Sequence, residues 1–469
     1  MKKRIKKSVL LLGTVCLCFL GLLCIKPTVE VQADPVSIYS AADLISYCGK
    51  RGSYELKLGS NITLNEGQIV TIAESCTITL DGNGKSIIQN YAGNTFEIQN
   101  RGKLTVSNLT VDRSATYPNA NVFRVEAGGS LVVNGGTYKT GSGADGVGSS
   151  VIHAYGNVTI TGGTFYGAKA DFYAVGLLGN NCNYTISGGT FTQSTSGMGV
   201  NLYAYPSNTA KNSVTISGGN FCDNKNNGIT IGDPGSSQLG TTTATINGGN
   251  FYNNDLNGVS VCFANQTCNV KAANIYNNKQ AGVLLKGSKV NFTSTNAGTL
   301  KVYNNGKYNV GVFEGGEFNG GYADLCNTAY MDNRGIIVYG ATATVGAGTT
   351  IKNSLDGIYV DSSGTAVVNG GFIGGCERGI WVYGSTCTIN NVEINGNTTG
   401  IDADSASTLT MSAGKIVNNK TGLYVEGTGK ATLAGSSAGA IVIAGNSSEG
   451  IKVSHSATFS GAHLALLAP

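Results

Sequence analysis

A phrase that decides the fold is written twice near the middle of the chain. Residues 214–231 read VTISGGNFCDNKNNGITI, and residues 244–261 read ATINGGNFYNNDLNGVSV. Shorter copies precede them, TITGGTF from Thr159 to Phe165 and TISGGTF from Thr185 to Phe191. Each full copy alternates apolar and polar residues, turns at Gly-Gly, and passes an Asn-rich turn into a final alternating run. Period-2 alternation is typical of β-strands, and recurrence at a steady spacing indicates a repeat architecture.

The final run of the phrase shows how often the unit recurs. The steps between its copies are 21 to 30 residues, except one step of 53 that predicts a further coil around residues 309–313. The alternation predicts that the two apolar residues of each copy point inward and stack into a ladder. The nine copies of Gly-apolar-x-apolar begin at Gly228, Gly258, Gly282, Gly335, Gly357, Gly379, Gly400, Gly422 and Gly450.

Composition agrees with many short strands joined by tight turns. Gly accounts for 69 of 469 residues, charged residues for 12% and hydrophobic residues for 41%. Gly-Gly suits turns that need a positive φ or a close backbone approach. Asn at the other turns tolerates left-handed geometry, and stacked Asn side chains can hydrogen-bond along the repeat axis.

Three short strands in about 22 residues cannot bury an apolar side alone, so each coil must stack on its neighbours. The pattern over residues 55–460 resembles the right-handed parallel β-helix of the pectate-lyase-like superfamily. The resemblance implies an all-β solenoid with three short strands per coil. It also implies a sugar-binding groove on the outer face of one stacked sheet.

The two ends of the chain differ from the repeats. Residues 1–33 combine a basic start, an apolar run and Val31-Gln32-Ala33, which predicts a signal peptide and a secreted or extracellular protein, with association to the cell surface left open. We expect an N-terminal cap over 34–60, with a short helix from Ser40 to Cys48, then the β-helix over 61–460 and a tail over 461–469. The sparsely covered last coil leaves end-to-end self-association open.

Several partner classes are not supported by the residue pattern. Residues 1–33 carry six Lys/Arg and one Glu, so the remainder has a net charge near −1 and no basic stripe for nucleic acid. No second apolar stretch predicts a membrane span after signal removal. The nine later Cys include no CxxC and the three His are scattered, so we expect no metal site and no cofactor. Disulfide pairing is left open, including Cys262 with Cys268 and Cys376 with Cys387.

The outward residues of the final runs change character late in the chain. They are small and neutral in the early coils and become aromatic and acidic from residue 339. We call this set the late-coil face and predict that it binds ligand. Its members are Tyr339, Tyr359, Asp361, Trp381, Tyr383, Asp402, Asp404, Tyr424 and Glu426.

The late-coil face admits three interpretations. Aromatic residues and charges on exposed strands occur for stability and solubility alone. Rings and carboxylates together also suit saccharide binding. Catalysis is the third, with Asp402, Asp404 and Glu426 as candidates. Their Cα spacings of ~5–7 Å overlap those of paired-carboxylate glycosidases.

Polygalacturonase-like enzymes on this fold carry a paired Asp-Asp and a His-Gly, and this sequence contains neither. We therefore predict an adhesin-like secreted or surface protein that binds polysaccharide, cell-surface glycan or extracellular matrix. A polysaccharide lyase or glycoside hydrolase is the first alternative, and a structural spacer is the second. The Glu377-Arg378 pair is interpreted as a solvated turn, and His153 and His455 as surface residues.

Overall fold

The structure is a computed structural model that describes residues 34–89, 91–113, 121–140, 150–167, 173–192, 197–202, 210–232 and 240–467. The predicted signal peptide lies outside these residues. The described chain is a parallel β-helix with three stacked sheets and one α-helix, Ala41–Cys48. Within that range no helix is long and apolar enough to cross a membrane.

Each coil contributes one strand to each sheet, and neighbouring strands pair in parallel. Val36–Ile38 extends the first sheet by pairing with Gly52–Leu58. The other first-sheet strands are Cys76–Asp81, Lys103–Ser107, the start of Ser130–Lys139 and of Asn157–Tyr166, Asn183–Ile186, Lys211–Ile216, Thr241–Ile246, Thr267–Val270, Lys289–Phe292, Glu317–Asn319, Thr342–Val345, Thr365–Val368, Thr386–Ile389, Thr408–Met411, Lys430–Ala434 and Thr458–Ala462.

The second sheet follows the Gly-Gly corner, and the third sheet follows the Asn-rich turn. The second sheet contains Ile62–Leu64, Ser86–Gln89, Thr110–Asp112, the ends of Ser130–Lys139 and Asn157–Tyr166, Thr190–Thr192, Asn220–Cys222, Asn250–Tyr252, Ala273–Tyr276, Leu300–Tyr303, the starts of Ala323–Tyr339 and Thr349–Asp361, Phe372–Gly374, Glu393–Asn395, Gly414–Val417, Ile441–Ala444 and Leu464–Leu467. The third sheet contains Val70–Ile72, Phe96–Ile98, Phe123–Val125, Ile152–Ala154, Tyr173–Leu177, Met198–Leu202, Ile229–Ile231, Val259–Cys262, Ala281–Lys286, Tyr308–Phe313, the ends of Ala323–Tyr339 and Thr349–Asp361, Arg378–Tyr383, Thr399–Asp404, Thr421–Val425 and Glu449–Val453.

The core is built from columns of inward side chains, as the alternation predicts. In the third sheet, Ile229 pairs with Val259 and Val259 with Val283, and all three are fully buried. The coil predicted near residue 309 is confirmed by the strand Tyr308–Phe313. In the second sheet, the rings of Phe191, Phe221 and Phe251 stack with centroids 4.8 and 4.6 Å apart. Such regular burial accounts for the near-constant spacing of the repeats.

The two glycines of the Gly-Gly corner have different roles. Gly189 has φ of +100°, a left-handed conformation that side chains disfavour. Gly188 has no such φ, but a Cβ there would overlap the carbonyl oxygen of Thr161 in the preceding coil. The first glycine therefore allows close stacking and the second allows the turn.

The glycine before each third-sheet strand has a packing reason. A Cβ on Gly357 would lie 2.5 Å from the carbonyl oxygen of Gly379, and one on Gly379 would lie 2.5 Å from that of Gly400. Successive coils approach so closely at this corner that a side chain cannot fit. The recurring glycine of the sequence pattern is therefore a stacking requirement.

The two adjacent asparagines of a turn also have different roles. Asn253 has a positive φ of 56°, while its neighbour Asn254 is fully buried. Asn224 donates to the side-chain oxygen of Asn254 at 2.9 Å, and Asn254 donates to that of Asn278 at 2.8 Å. The same ladder continues from Asn278 to Asn305 at 2.9 Å. The predicted hydrogen bonding of Asn along the axis is thus confirmed.

The first and last coils are covered differently. Ser40 caps the helix Ala41–Cys48 by accepting from the backbone N–H of Asp43 at 3.1 Å, and Leu44 and Cys48 are fully buried in the core. The predicted capping helix is therefore confirmed. At the other end Val453, Leu466 and Leu467 are 44%, 60% and 62% exposed. The segment predicted as a tail contains the strand Leu464–Leu467, and end-to-end association stays a prediction.

The cysteines after residue 33 all lie in the described part of the chain and are thiols rather than disulfides. Seven of the nine are buried, and Cys262 and Cys326 are half-buried. Neither Cys262 with Cys268 nor Cys376 with Cys387 is joined. Burial raises the pKa of the Cys268 and Cys387 thiols to about 12, as expected for small apolar core residues.

Candidate functional site

The late-coil face is assembled by the register of the third sheet. Tyr359 pairs with Trp381, Trp381 with Asp402, and Asp402 with Tyr424, which forms one outward row along the axis. A second row contains the pairs Tyr339 with Asp361 and Tyr383 with Asp404. Glu426 follows directly after the strand Thr421–Val425. The predicted register is confirmed, and the role of these residues in ligand binding stays a prediction.

Trp381 lies at the centre of the face and already has several neighbours. Its ring centroid is 4.5 Å from that of Tyr359, and the guanidinium of Arg378 is 3.7 Å from it. Tyr383 approaches edge-on, with centroids 6.0 Å apart. These contacts cover part of the indole surface and fix its position. The rings more open to solvent are Tyr339 and Tyr383, which are 44% and 41% exposed.

Arg334, Asp356 and Arg378 form an ion triad next to the rings of the first outward row. Asp356 is fully buried and accepts from Nε of Arg378 at 2.7 Å, and Nε of Arg334 lies 3.1 Å from its other oxygen. Burial raises the pKa of Asp356, and the two guanidinium groups oppose that shift. Arg334 also lies over the Tyr359 ring at 4.7 Å. Each arginine therefore joins the buried carboxylate to one ring of the outward row.

Sequence reasoning missed this triad and misplaced one of its members. Glu377 is exposed, as predicted for a turn, but Arg378 is half-buried on Trp381 and Asp356, so its assignment as a solvated turn residue is wrong. A signal was present in the sequence. Each Gly-apolar-x-apolar copy begins with a glycine, and the residue before that glycine is Arg334, Asp356 and Arg378 in three successive coils. These three residues are paired in register.

Asp402 is the most unusual titratable group of the face. It is only 8% exposed, and its Oδ1 atom has no hydrogen-bond partner among the described residues. Burial raises the pKa of Asp402 to about 7, with a further rise from Glu426 and an opposing effect from Arg378. The buried Nε1 atom of Trp381, its register neighbour, also has no partner within the described structure. Two residues paired in register therefore carry a donor and an acceptor that both lack a partner in the described chain.

The remaining residues of the face surround Asp402. Asp404 lies two residues along the same strand and accepts from the backbone N–H of Ser405. Tyr359 donates from its hydroxyl to Asp361 at 2.7 Å, which orients that carboxylate. Tyr424 hydrogen-bonds through its hydroxyl with Ser454 at 3.1 Å, and Lys452 lies 4.8 Å from its ring centre. The face thus has fixed rings and clustered carboxylates.

A second cluster lies on the third sheet in an early coil. His153 Nε2 is 3.1 Å from the Tyr155 hydroxyl, and its Nδ1 is 3.4 Å from the Tyr173 hydroxyl. Burial, with the nearby charge of Arg124, lowers the pKa of His153 to about 4. The interpretation of His153 as a surface residue is therefore wrong, because it is half-buried between two tyrosines. His455 is exposed, as predicted.

Comparison with known proteins finds a family match and similar solved chains. A family profile described as "NosD: Periplasmic copper-binding protein (NosD)" matches residues 321–464, the stretch that carries the late-coil face. A solved chain described as "L. reuters 100-23 SRRP" is 15% identical, with a TM-score of 0.16 over 94% of this chain and 97% of that chain. No curated protein matches.

The matched family description raises the question of copper. Copper in proteins is held by clustered His, Cys or Met side chains or by carboxylates of suitable geometry. Among the residues that the structure describes, no three His, Cys, Asp or Glu side chains are grouped closely enough to hold a metal ion. No copper centre built from those four residue types is therefore assigned within the described residues.

Proposed function

We propose that this parallel β-helix protein acts outside the cytoplasm, in association with a surface, and binds carbohydrate through the late-coil face. The observation that carries the proposal is the arrangement at residues 381–402. A fixed indole, an unpartnered indole N–H and an unpartnered carboxylate oxygen lie in adjacent coils beside the exposed ring of Tyr383. Buried polar atoms normally have partners, so two unpartnered ones on neighbouring residues of an outward row support a site where a ligand supplies the partners.

The ring arrangement suits a saccharide. Sugar rings have apolar C–H faces and a rim of hydroxyl groups, and they match sites that combine aromatic surface with a few placed polar groups. Tyr339 and Tyr383 offer the open aromatic surface, because Tyr359 and Arg378 already cover part of Trp381. The match of residues 321–464 to a periplasmic family supports the extracytoplasmic location.

A second function has one specific observation in its favour. A carboxyl with a pKa of about 7 is suited to act as a general acid at neutral pH, and Asp402 has such a pKa beside Asp404 and Glu426. Hydrolysis of a glycosidic bond uses one protonated and one ionised carboxyl group. In this second proposal Asp402 donates the proton, and Asp404 or Glu426 is the second carboxyl group of the pair.

A glycan panel tests both proposals at once. Trp381 is the only tryptophan of the chain, so its fluorescence reports directly on the late-coil face. Binding predicts a saturable change in its emission with at least one glycan, without new reducing ends or unsaturated products. Release of such products that stops in an Asp402→Asn variant would establish the enzyme. If no glycan of a broad panel changes the emission and none is cleaved, both the binding proposal and the enzyme proposal are contradicted.

A further inference from the structure

Carboxylates outnumber cations around the late-coil face. Three cations lie there, and Arg334 and Arg378 share Asp356 while Lys452 lies on the Tyr424 ring. Within the described residues, no Lys, Arg or His nitrogen lies within 4.0 Å of the other carboxylates. Those carboxylates belong to Asp361, Asp402, Asp404 and Glu426. The surface available to a ligand is therefore acidic.

Asp402 is the carboxylate of this acidic surface that has an oxygen without a hydrogen-bond partner in the described part of the chain. Its side chain is more than nine-tenths buried and holds an oxygen without a partner, between Trp381 and Tyr424 in the outward row. Taking an unpaired carboxylate out of water is costly, and a cation that reaches it recovers that cost. The unpartnered N–H of Trp381 in the adjacent coil can donate to a hydroxyl of the same ligand. One ligand that carries both an ammonium group and hydroxyl groups meets both requirements.

We propose that the glycan bound by the late-coil face carries free amino groups, as in a deacetylated hexosamine polymer. The ammonium group of one sugar lies against Asp402, in the negative field of Asp404 and Glu426, and a neighbouring sugar ring lies against Tyr383. This inference rests on the proposed carbohydrate binding and adds the charge of the ligand. It also predicts that acidic, uronate-rich glycans are repelled, because they place like charges together.

The test compares three oligosaccharides of equal length by titration calorimetry at neutral pH and low salt. They are a fully deacetylated hexosamine oligomer, its fully N-acetylated form and a uronate oligomer. Loss of one charge-assisted hydrogen bond corresponds to roughly tenfold or more in Kd, so we expect the deacetylated form to bind at least about tenfold tighter than the acetylated form. The uronate oligomer should bind most weakly.

Substitution of single carboxylates tests which residues cause the preference for the deacetylated oligomer. Asp402→Asn and Asp404→Asn should remove the preference, so that the deacetylated form binds no more tightly than the acetylated form to either variant. Glu317→Gln is the matched control, because Glu317 is an exposed carboxylate of the first sheet that pairs with Lys289. It should leave all three affinities unchanged. Equal thermal unfolding temperatures would show that each variant is folded.

The outcomes separate this inference from the proposed function. Binding of the acetylated or uronate oligomer as tightly as the deacetylated one would overturn the amino-sugar inference while keeping carbohydrate binding. No binding of any oligomer would overturn both. Equally tight binding of a short polylysine of matched charge would also overturn it, since the face would then select any polycation rather than a sugar.

Discussion

Asp356 accepts a 2.7 Å hydrogen bond from Nε of Arg378 although its side chain has no exposure to solvent. Arg378 extends from this bond over the ring of Trp381, 3.7 Å from its centre. The buried carboxylate therefore positions the indole at the middle of the late-coil face. Asp356 is a positioning residue, because it acts through Arg378 and does not reach the surface itself.

Replacing Asp356 tests this positioning role. Asp356→Ala leaves two arginines without their carboxylate, and breaking a buried ion pair costs about 3–5 kcal/mol of unfolding free energy. Urea denaturation should show that loss, and Trp381 emission should shift because Arg378 is released. Asp255→Asn is a control, since Asp255 pairs with Lys225 and Lys279 at the surface and should cost about 1 kcal/mol or less. Equal losses in the two variants would contradict the account.

The buried asparagine ladder should contribute strongly to stability. Asn254 donates to Asn278 and to the Phe221 carbonyl and accepts from Asn224, all without solvent exposure. Asn254→Ala leaves these partners unsatisfied, and we expect a loss of about 3 kcal/mol or more in unfolding free energy. Asn274→Ala removes a similar amide from an exposed ladder and should cost under about 1 kcal/mol. Chemical denaturation measures both, and a larger loss at Asn274 would refute the assignment.

Asp402 makes stability depend on pH in a defined direction. Its pKa is raised from 3.8 to about 7 in the folded chain, so the unfolded chain releases this proton first as pH rises. The carboxyl group therefore lowers the unfolding free energy progressively between about pH 4 and pH 7, by about 1.4 kcal/mol per pKa unit at most.

Asp402→Asn removes this titration. Relative to the wild type, the variant should gain stability as pH rises through that window and should differ little below it. Thermal unfolding measured from pH 4 to pH 8 checks the trend. A constant difference between the two proteins across the range would show that burial does not raise this pKa.

The architecture and the outward rows could be predicted from the sequence because both follow from alternation. Alternation fixes which residues point in and out, and a recurring glycine such as Gly357 fixes the register of one coil on the next. The division of the Asn253-Asn254 pair into a left-handed turn and a ladder also follows from residue chemistry.

The ion triad and the histidine site were not predicted because they depend on corners and neighbours in other coils. Arg378 is charged and lies beside Glu377, which favours solvent by local criteria, but Asp356 in the preceding coil binds it. His153 meets Tyr173 across a strand pairing that its local sequence does not show. Burial of Asp402 likewise results from its place between Trp381 and Tyr424 rather than from its own strand.

The most direct test of carbohydrate binding is the affinity of one glycan ligand for the wild type and for two tyrosine variants. Tyr383→Ala removes one of the two open rings of the late-coil face, whereas Tyr276→Ala removes a ring from a tyrosine stack on the second sheet. The account predicts that Tyr383→Ala weakens binding at least about tenfold, the loss expected for one aromatic contact, and that Tyr276→Ala leaves it unchanged. Unchanged affinity in Tyr383→Ala, or equal losses in both variants, would contradict binding at this face.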